Sequence, residues 1–271
     1  MASTSKSKSP LRIEVCVDSV QSAINAVNGG ADRLELCATL ANGGTTPSLG
    51  LFKAVSRAVP DVPIMVMIRP RAGDFVYNEL ELGVMLDDIK SFKNRGAYGV
   101  VFGVLTPQGQ VDKEATKLLV DFSLPMQVSF HRAFDATRDP FEALEDIISI
   151  GGVSRILTSG HAKNVVDGLD MIVMLQIKAL QLASSSFSIL PGSGVNSDTI
   201  DTILVKLLPE GVREFHMSGG RWKSGRMAHR AQTLGFGATS EHEWDVWETD
   251  YHAVKEVRTI INMVCDKFGF E

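Results

Sequence analysis

The chain has 271 residues and a formal net charge of -5 at pH 7, which is enough chain for one large domain with a sizeable core. An acidic chain without a basic stripe is a poor match for phosphate backbones, so we expect no nucleic-acid partner. The longest apolar runs have only the length of a strand, so we also expect no membrane partner.

The N-terminal segment MASTSKSKSPLR is polar, and no apolar run of the kind found in a secretory signal follows it. We therefore interpret residues 1–10 as a disordered tail and residues 11–271 as a single domain. Three cysteines, an odd number, predict free thiols in a reducing compartment. A cytoplasmic location is expected, with the nucleus as an alternative.

Strand-like and helical patterns alternate along the chain. Between the strands, apolar residues recur at spacings of three and four, which is typical of helices packed on a sheet. Ser19 and Asp139 are predicted N-caps, and Gly30, Gly96 and Gly151 follow the last turns of their helices. The eight predicted strands are residues 13–17, 33–37, 63–69, 99–105, 127–131, 155–159, 187–191 and 213–217.

Eight alternating units over about 250 residues predict a fold of the α/β class, a single (β/α)8 TIM barrel. A doubly wound open sheet is the alternative. However, the first strand–turn–helix reads EVCVDSVQSA, without the glycine fingerprint typical of dinucleotide-binding folds. The barrel is therefore the favoured architecture.

A long loop after strand 8, over residues 219–249, interrupts the alternation. It contains every tryptophan of the chain: Trp222, Trp244 and Trp247. Long loops in compact domains are usually functional or packed against a neighbour. We expect this one to form an oligomer contact or a lid over the barrel mouth.

Polar residues of one parity collect at the C-terminal ends of five predicted strands, where the active sites of barrels lie. The opposite parity is apolar throughout. Burying a charge is costly unless it is paired, so several charged groups at one end predict a functional site. For each residue alone, a structural hydrogen-bonded role is the alternative. The candidates are Glu14, Glu35, Arg69, His131 and His216.

Glycine-rich turns follow the seventh and eighth strands, in the segments LPGSGV and HMSGGR. Backbone N–H groups in such turns bind anions, and phosphate groups in barrels commonly bind after these two strands. Glycine turns are also ordinary loop structure. Taken together, the two turns predict an anion site formed by Gly192, Gly194, Ser218 and Gly219.

Cys16 and Cys37 are predicted on the inward faces of neighbouring strands, about 4.8 Å apart. Cu(I) favours thiolate and thioether ligands, and Met67 on the third strand offers a thioether. Zinc would normally take four nitrogen or sulfur ligands. No CxxC motif is present, so two inert buried thiols remain the alternative on spacing alone.

From about Leu11 to Phe268 the chain resembles the copper homeostasis protein CutC family. The matching stretches are EVCVDS, GGADRLELCATLANGGTTPSLG, VMIRPRAGDFVY, GVVFGVLTPQGQVD, SFHRAFD, RILTSG, LPGSGV and EFHMSG. The resemblance implies a TIM barrel, a homo-oligomer (a dimer or a tetramer), and Cu(I) binding through two cysteines that correspond to Cys16 and Cys37. The segments PGSGV and GGRWKSGRMAHR differ from animal relatives, so any specificity carried by the latter loop is not transferred.

Two main hypotheses follow. In the first, the protein serves copper homeostasis and binds Cu(I) through Cys16 and Cys37, with the copper ion as its partner. In the second, it is a TIM-barrel enzyme with isomerase- or lyase-like acid–base chemistry on a small anionic or phosphorylated substrate. No particular enzymatic activity is assigned, and an oligomeric scaffold with a structural polar plug is a third interpretation.

The enzyme hypothesis gives each charged candidate a role. Glu14 or Glu35 is the general base, and His131 and His216 supply an acid or an electrophile. Arg69 is the anion clamp, and the glycine turns cradle a phosphate.

Overall fold

Eight parallel strands form the centre of the molecule. The computed structural model describes residues 10–182, 187–231, 235 and 237–268, with the backbone alone at Phe268; the tail predicted at residues 1–10 lies outside these ranges except for Pro10. Each strand falls within a predicted segment or within one residue of it. The strands are β1 (Arg12–Val17), β2 (Arg33–Leu36), β3 (Ile64–Met67), β4 (Gly99–Phe102), β5 (Gln127–Phe130), β6 (Arg155–Thr158), β7 (Ser188–Pro191) and β8 (Glu214–Met217).

Helices alternate with these strands. Ser19 caps the first helix by accepting a hydrogen bond from the Ser22 backbone, and Asp139 caps the fifth in the same way. No helix in the described ranges is long and apolar enough to span a membrane. The helices are α1 (Val20–Gly29), α2 (Leu49–Ala58), α3 (Glu79–Lys93), α4 (Lys113–Ser123), α5 (Pro140–Ile150), α6 (Leu169–Leu182), α7 (Ile200–Leu207) and α8 (Tyr251–Phe268).

The strands close almost completely into a barrel. Each of β1 to β7 pairs in parallel with its neighbour in the chain, and β8 pairs with β1. β7 and β8 lie side by side at the remaining seam. This order confirms the predicted single TIM barrel and excludes an open doubly wound sheet, whose strand order reverses at a switch point.

The side chains separate into two layers, as the parity of the sequence predicts. The apolar residues predicted to face the helices, such as Val15, Leu36 and Phe130, belong to one large core between strands and helices. Cys37 and Met67 belong to a second, smaller cluster inside the barrel, with Met65 and Val101. The barrel interior is therefore rich in sulfur.

The segment after β8 is partly regular. Strands β9 (Gly220–Ser224) and β10 (Asp245–Thr249) form an antiparallel hairpin in which Trp222 lies opposite Trp247. The two indole rings are 5.1 Å apart edge to face, a favourable cross-strand pair that supports a short isolated ladder. Asn25 of α1 donates to the Thr249 carbonyl at 2.8 Å, so the hairpin is fastened to the barrel. A role as lid or oligomer contact stays a prediction.

Gly99 lets β3, β4 and β5 approach closely. A Cβ at this position would collide with Met65 Sδ and lie 2.6 Å from the Gln127 carbonyl oxygen, which is backbone and cannot turn away. We expect Gly99→Ala to lower the free energy of unfolding by about 1–3 kcal/mol in urea denaturation. The control is Gly83→Ala in α3, where nothing lies within 4 Å and a gain of about 0.5–1 kcal/mol is expected. Equal effects of the two variants would contradict this account of the interior.

Candidate functional site

The C-terminal ends of β1, β2 and β8 bring four of the predicted residues together. Cys16 is the Cα partner of Glu35, and Glu14 is the partner of His216. All four are buried, with at most 8% of each residue exposed. One donor atom each from Cys16, Glu35 and His216 lie within 4.8 Å of one another. The register of three adjacent strands thus builds one compact polar cluster.

His216 is held between two carboxylates. Its Nδ1 lies 2.8 Å from Glu14 Oε1, and its Nε2 lies 3.7 Å from Glu35 Oε2. Burial disfavours an imidazolium, but the interactions of the ring with Cys16, Glu35 and Glu14 outweigh this cost and raise the pKa of His216 well above its usual value. The Glu14 contact fixes the ring and directs Nε2 towards Cys16 and Glu35.

The two glutamates have different protonation behaviour. Burial raises the pKa of Glu35 to about 7, although the charge of His216 opposes this shift. Burial acts on Glu14 in the same sense, but the charge of Arg33 and the contact with His216 outweigh it and hold its pKa well below the usual range. Glu14 is therefore a fixed negative charge, and Glu35 is the better candidate for proton exchange near neutral pH.

A layer of charges beneath the cluster was missed by the sequence analysis. Arg33 forms an ion pair with Glu14 and another, at 2.5 Å, with Glu214. Arg155 lies 3.5 Å from Glu214. Arg33 and Glu214 lie two residues before Glu35 and His216, so they face inward as well. Extending the set of inward-facing positions to the start of each strand would have identified both residues. This layer compensates the charge of Glu14.

Both predicted thiols are buried in the interior. Cys37 Sγ lies 3.7 Å from Glu35 Oε2, and burial followed by the charge of Glu35 raises the pKa of this thiol well above its usual value. Burial also raises the pKa of Cys16, although His216 opposes the shift. Cys16 lines a cavity, whereas Cys37 is 0% exposed and packs with Met65 and Met67. Both thiols are therefore protonated at neutral pH in the absence of a metal ion.

Arg69, at the end of β3, mainly holds loops together. Its Nη1 donates to the Gly44 carbonyl at 3.0 Å, and its Nη2 donates to the Gly73 carbonyl at 2.9 Å. The guanidinium lies over the Phe75 ring, 5.0 Å from its centroid. Two of its three nitrogens are thus committed to backbone, and only Nε has no partner among the described residues.

His131, at the end of β5, is a buried neutral imidazole. Its Nδ1 accepts a hydrogen bond from the Ala133 backbone N–H at 3.2 Å, so the proton of the neutral ring is on Nε2. Burial, followed by the charge of Arg69, lowers the pKa of His131 to about 3. The ring lies 5.0 Å from that of Phe75. His131 therefore differs from His216: it stays neutral near pH 7 and carries a hydrogen-bond donor on Nε2.

Two cavities open at this end of the barrel. One, of about 310 Å³, is lined by Glu35, Arg69 and His131 as well as by Cys16 and His216. The other, of about 380 Å³, lies at the turns after β7 and β8 and has Cys16 and His216 in its lining as well. The cavities are adjacent and share Cys16, Arg132 and His216. Of the predicted acid–base and anion-binding residues, Glu14 and Gly192 line neither cavity.

The glycine turns are only partly available to an anion. Gly194, Ser218 and Gly219 line the second cavity, and Gly194 and Gly219 have positive φ angles of 87° and 54°. The N–H of Gly192 donates to the Thr158 carbonyl at 3.0 Å and is not available to a ligand. The predicted set therefore loses one of its four members.

Arg132 was also missed, although it lies in the stretch SFHRAFD. It is the residue after His131, it begins the 3-10 helix Arg132–Ala136, and it lines both cavities. Its Nε donates to Asp135 Oδ2 at 2.7 Å, and its Nη2 donates to Ser159 Oγ at 2.8 Å. The ion pair with Asp135 compensates the charge of Arg132 and anchors its guanidinium at the wall that the cavities share.

Comparison with known proteins identifies the family. Residues 11–221 match the CutC family. The chain is 42% identical over 249 residues to the copper homeostasis protein cutC homolog of Homo sapiens, covering 92% of this chain and 87% of the relative. It is 40% identical to the family protein CutC of Pasteurella multocida, covering 93% and 99% of the two chains.

A solved structure agrees with the sequence comparisons. The crystal structure of CutC from Streptococcus agalactiae superposes with a TM-score of 0.69 and 29% identity, covering 77% of this chain and 98% of the other. The strand order, the residues at the barrel mouth and these similarities lead to one conclusion: the chain belongs to the CutC family.

Proposed function

We propose that the protein serves copper homeostasis by binding Cu(I) at the C-terminal mouth of the barrel, with Cys16 and Cys37 as thiolate ligands. The observation that carries this proposal is the placement of two buried thiols on neighbouring chain segments: Cys16 lies in β1, and Cys37 directly follows β2, with its N–H donating to the Val17 carbonyl at 2.9 Å. The human and mouse relatives, each 42% identical, are named copper homeostasis protein cutC homolog, which supports the same assignment.

The donor atoms near the two thiols suit a soft ion. Cu(I) prefers sulfur and accepts imidazole nitrogen. A donor atom of His216 lies within 4.8 Å of one of Cys16, and Met65 and Met67 pack with Cys37. Because burial raises the pKa of both thiols, Cu(I) has to displace their protons, and its affinity is expected to fall as the pH falls.

Replacing the two thiols tests this proposal. We expect the double variant Cys16→Ser/Cys37→Ser to lose Cu(I) binding in a competition titration against a chelator of known affinity, because a hydroxyl is a poor ligand for a soft ion. The matched control is Cys265→Ser in α8, which removes a buried thiol of the outer core and should leave the stoichiometry unchanged. Full Cu(I) binding by the double variant would refute the two-cysteine site.

A second candidate function is acid–base catalysis on a small anionic substrate. It is favoured by three residues that line the first cavity, Glu35, Arg69 and His131. Each has one buried polar atom without a hydrogen-bond partner among the described residues. A copper carrier has no need of them. Glu35 is the base in this proposal, because Glu14 is already neutralised by Arg33 and His216.

Proton exchange tests the catalytic role of Glu35. In D₂O, the wild-type protein is expected to promote deuterium incorporation next to the carbonyl or carboxylate group of a bound substrate, observed by proton NMR. Glu35→Gln keeps the size of the side chain and removes the base, so we expect the rate to fall by about 10²- to 10⁴-fold. An unchanged rate in this variant would exclude Glu35 as the base.

The neutral His131 predicts a pH dependence of stability. Its pKa in the folded protein, about 3, lies below the usual histidine value of 6.5, so below pH 6.5 the unfolded chain binds a proton that the folded chain does not. Stability should therefore be lost as the pH falls from 6.5 towards 3, by up to about 1.4 kcal/mol per pH unit from this residue.

His131→Asn is the variant that isolates this effect. Asn offers an acceptor oxygen to the Ala133 N–H and does not titrate. Urea denaturation between pH 6.5 and pH 4 should show a pH slope about one proton shallower for the variant than for the wild type. Parallel slopes for the two proteins would show that His131 is not buried in its neutral form.

A further inference from the structure

Three metal-binding side chains of different chemistry meet in the interior of the barrel. Cys16 of β1, Glu35 of β2 and His216 of β8 each offer one donor atom, and the three atoms lie within 4.8 Å of one another. Cys37 is not a member of this group. The group is therefore a different set of donors from the pair of thiols proposed for Cu(I).

The spacing of the donors fits a single ion. His216 Nε2 lies 3.7 Å from Glu35 Oε2. Two nitrogen or oxygen ligands of a tetrahedral zinc ion, each at about 2.0–2.2 Å, are about 3.3–3.6 Å from each other. Cys16 is the Cα partner of Glu35, and β8 pairs with β1, so the three backbones are already hydrogen-bonded neighbours. Small side-chain movements are therefore enough to bring the donors to bonding distance.

Glu14 holds His216 in the orientation of a metal ligand. The contact of Nδ1 with Glu14 Oε1, at 2.8 Å, leaves Nε2 as the ring nitrogen for an ion. Glu14 is itself paired with Arg33. Histidines that bind metal ions almost always contact a carboxylate, a carbonyl or water through the second ring nitrogen, which fixes the ring and makes the ligand nitrogen more basic. The chain of contacts from Arg33 to His216 has this form.

The charges beneath the group balance one another. Arg33 contacts Glu14 and Glu214, and Arg155 lies 3.5 Å from Glu214. Two cations thus face two anions in this layer. The charge of an ion bound above it has to be matched by the three donors themselves.

The charge and the softness of the donors indicate a divalent ion. A thiolate at Cys16 and a carboxylate at Glu35 carry two negative charges, and the ligand imidazole of His216 is neutral. A divalent ion makes this group neutral, whereas Cu(I) leaves one uncompensated charge in the interior, which is costly. Zinc accepts sulfur, nitrogen and oxygen ligands together, whereas Cu(I) favours sulfur. The mixed set is therefore better matched to Zn²⁺.

Three protein ligands leave one position of a tetrahedral ion free. Structural zinc sites usually have four protein ligands, whereas catalytic sites have three and a water molecule. Cys16, Glu35 and His216 belong to the lining of the first cavity, which gives an ion a route from solvent to the group. The donor set is therefore that of an open site, in which water or an oxygen atom of a small ligand completes the coordination.

We propose that Cys16, Glu35 and His216 form an open, three-ligand site for Zn²⁺, distinct from the two-cysteine site for Cu(I). The two sites share Cys16, so Zn²⁺ and Cu(I) compete for the protein. The proposal goes beyond both candidate functions, since neither includes a divalent ion.

Titration of the metal-free, reduced protein with Co²⁺ in the absence of oxygen tests the proposal. Co²⁺ replaces Zn²⁺ in tetrahedral sites and absorbs strongly in the visible range there, and a thiolate ligand adds a charge-transfer band in the near ultraviolet. We expect both signals to saturate at one Co²⁺ per chain and to disappear when Zn²⁺ is added. The proposal is overturned if Co²⁺ shows no saturable binding, or if the thiolate band is absent at saturation.

Variants identify the ligands. Glu35→Gln keeps the size of the side chain and removes the carboxylate, so Zn²⁺ affinity, measured by competition with a chelator, is expected to fall at least about tenfold. Cys16→Ser should abolish the thiolate band of Co²⁺, whereas Cys37→Ser should keep it. Cys265→Ser is the control for removing a buried thiol and should keep it as well. Wild-type Zn²⁺ affinity in Glu35→Gln, or loss of the band in Cys37→Ser alone, would refute the assignment.

The Zn²⁺ site and the Cu(I) site can fail separately. If the Co²⁺ thiolate band persists in Cys37→Ser while Cys16→Ser/Cys37→Ser retains Cu(I), the two-cysteine site is wrong and the Zn²⁺ site stands. If the double variant loses Cu(I) and the wild-type protein shows no thiolate band with Co²⁺, the Cu(I) site stands and the Zn²⁺ site is wrong.

Discussion

The buried ion pair between Arg33 and Glu14 is the contact on which the barrel mouth depends. A lone carboxyl group inside a barrel would be protonated, because desolvation disfavours its charged form. Arg33, which is also paired with Glu214, keeps Glu14 ionised. Because Glu14 stays ionised, it can hold His216 by Nδ1. The imidazole then presents Nε2 to Cys16 and Glu35, so the Arg33–Glu14 pair sets the orientation of the polar cluster.

Two glutamates of the same parity thus have separate tasks. Glu14 is saturated by a guanidinium and an imidazole, which makes it a positioning group. Glu35 has one oxygen without a hydrogen-bond partner in the part of the chain that the structure describes, and burial raises its pKa to about 7, which makes it available for chemistry. The environment of each carboxyl, and not its residue type, decides between these roles.

The mouth of the barrel combines soft metal ligands with hydrogen-bond donors. Sulfur from Cys16 and Cys37 favours Cu(I), whereas the N–H groups of Arg69 and His131 favour an oxyanion. The two sets meet at Glu35, which is close to a thiol of the first set and lines the cavity of the second. Our two proposed functions therefore describe neighbouring halves of one site, and binding of one ligand is expected to change the affinity for the other.

The sequence by itself determined the barrel and the inward parity. Eight alternating patterns are strong local signals, and a period of two fixes which face of a strand is buried, so Glu14, Glu35 and His216 could be named before their contacts were known. The tertiary structure decided the partners. Arg33 pairs with Glu14 and Gly192 donates to Thr158 because neighbouring strands settle in a particular register, and register depends on contacts between residues far apart in the chain, which local patterns do not encode.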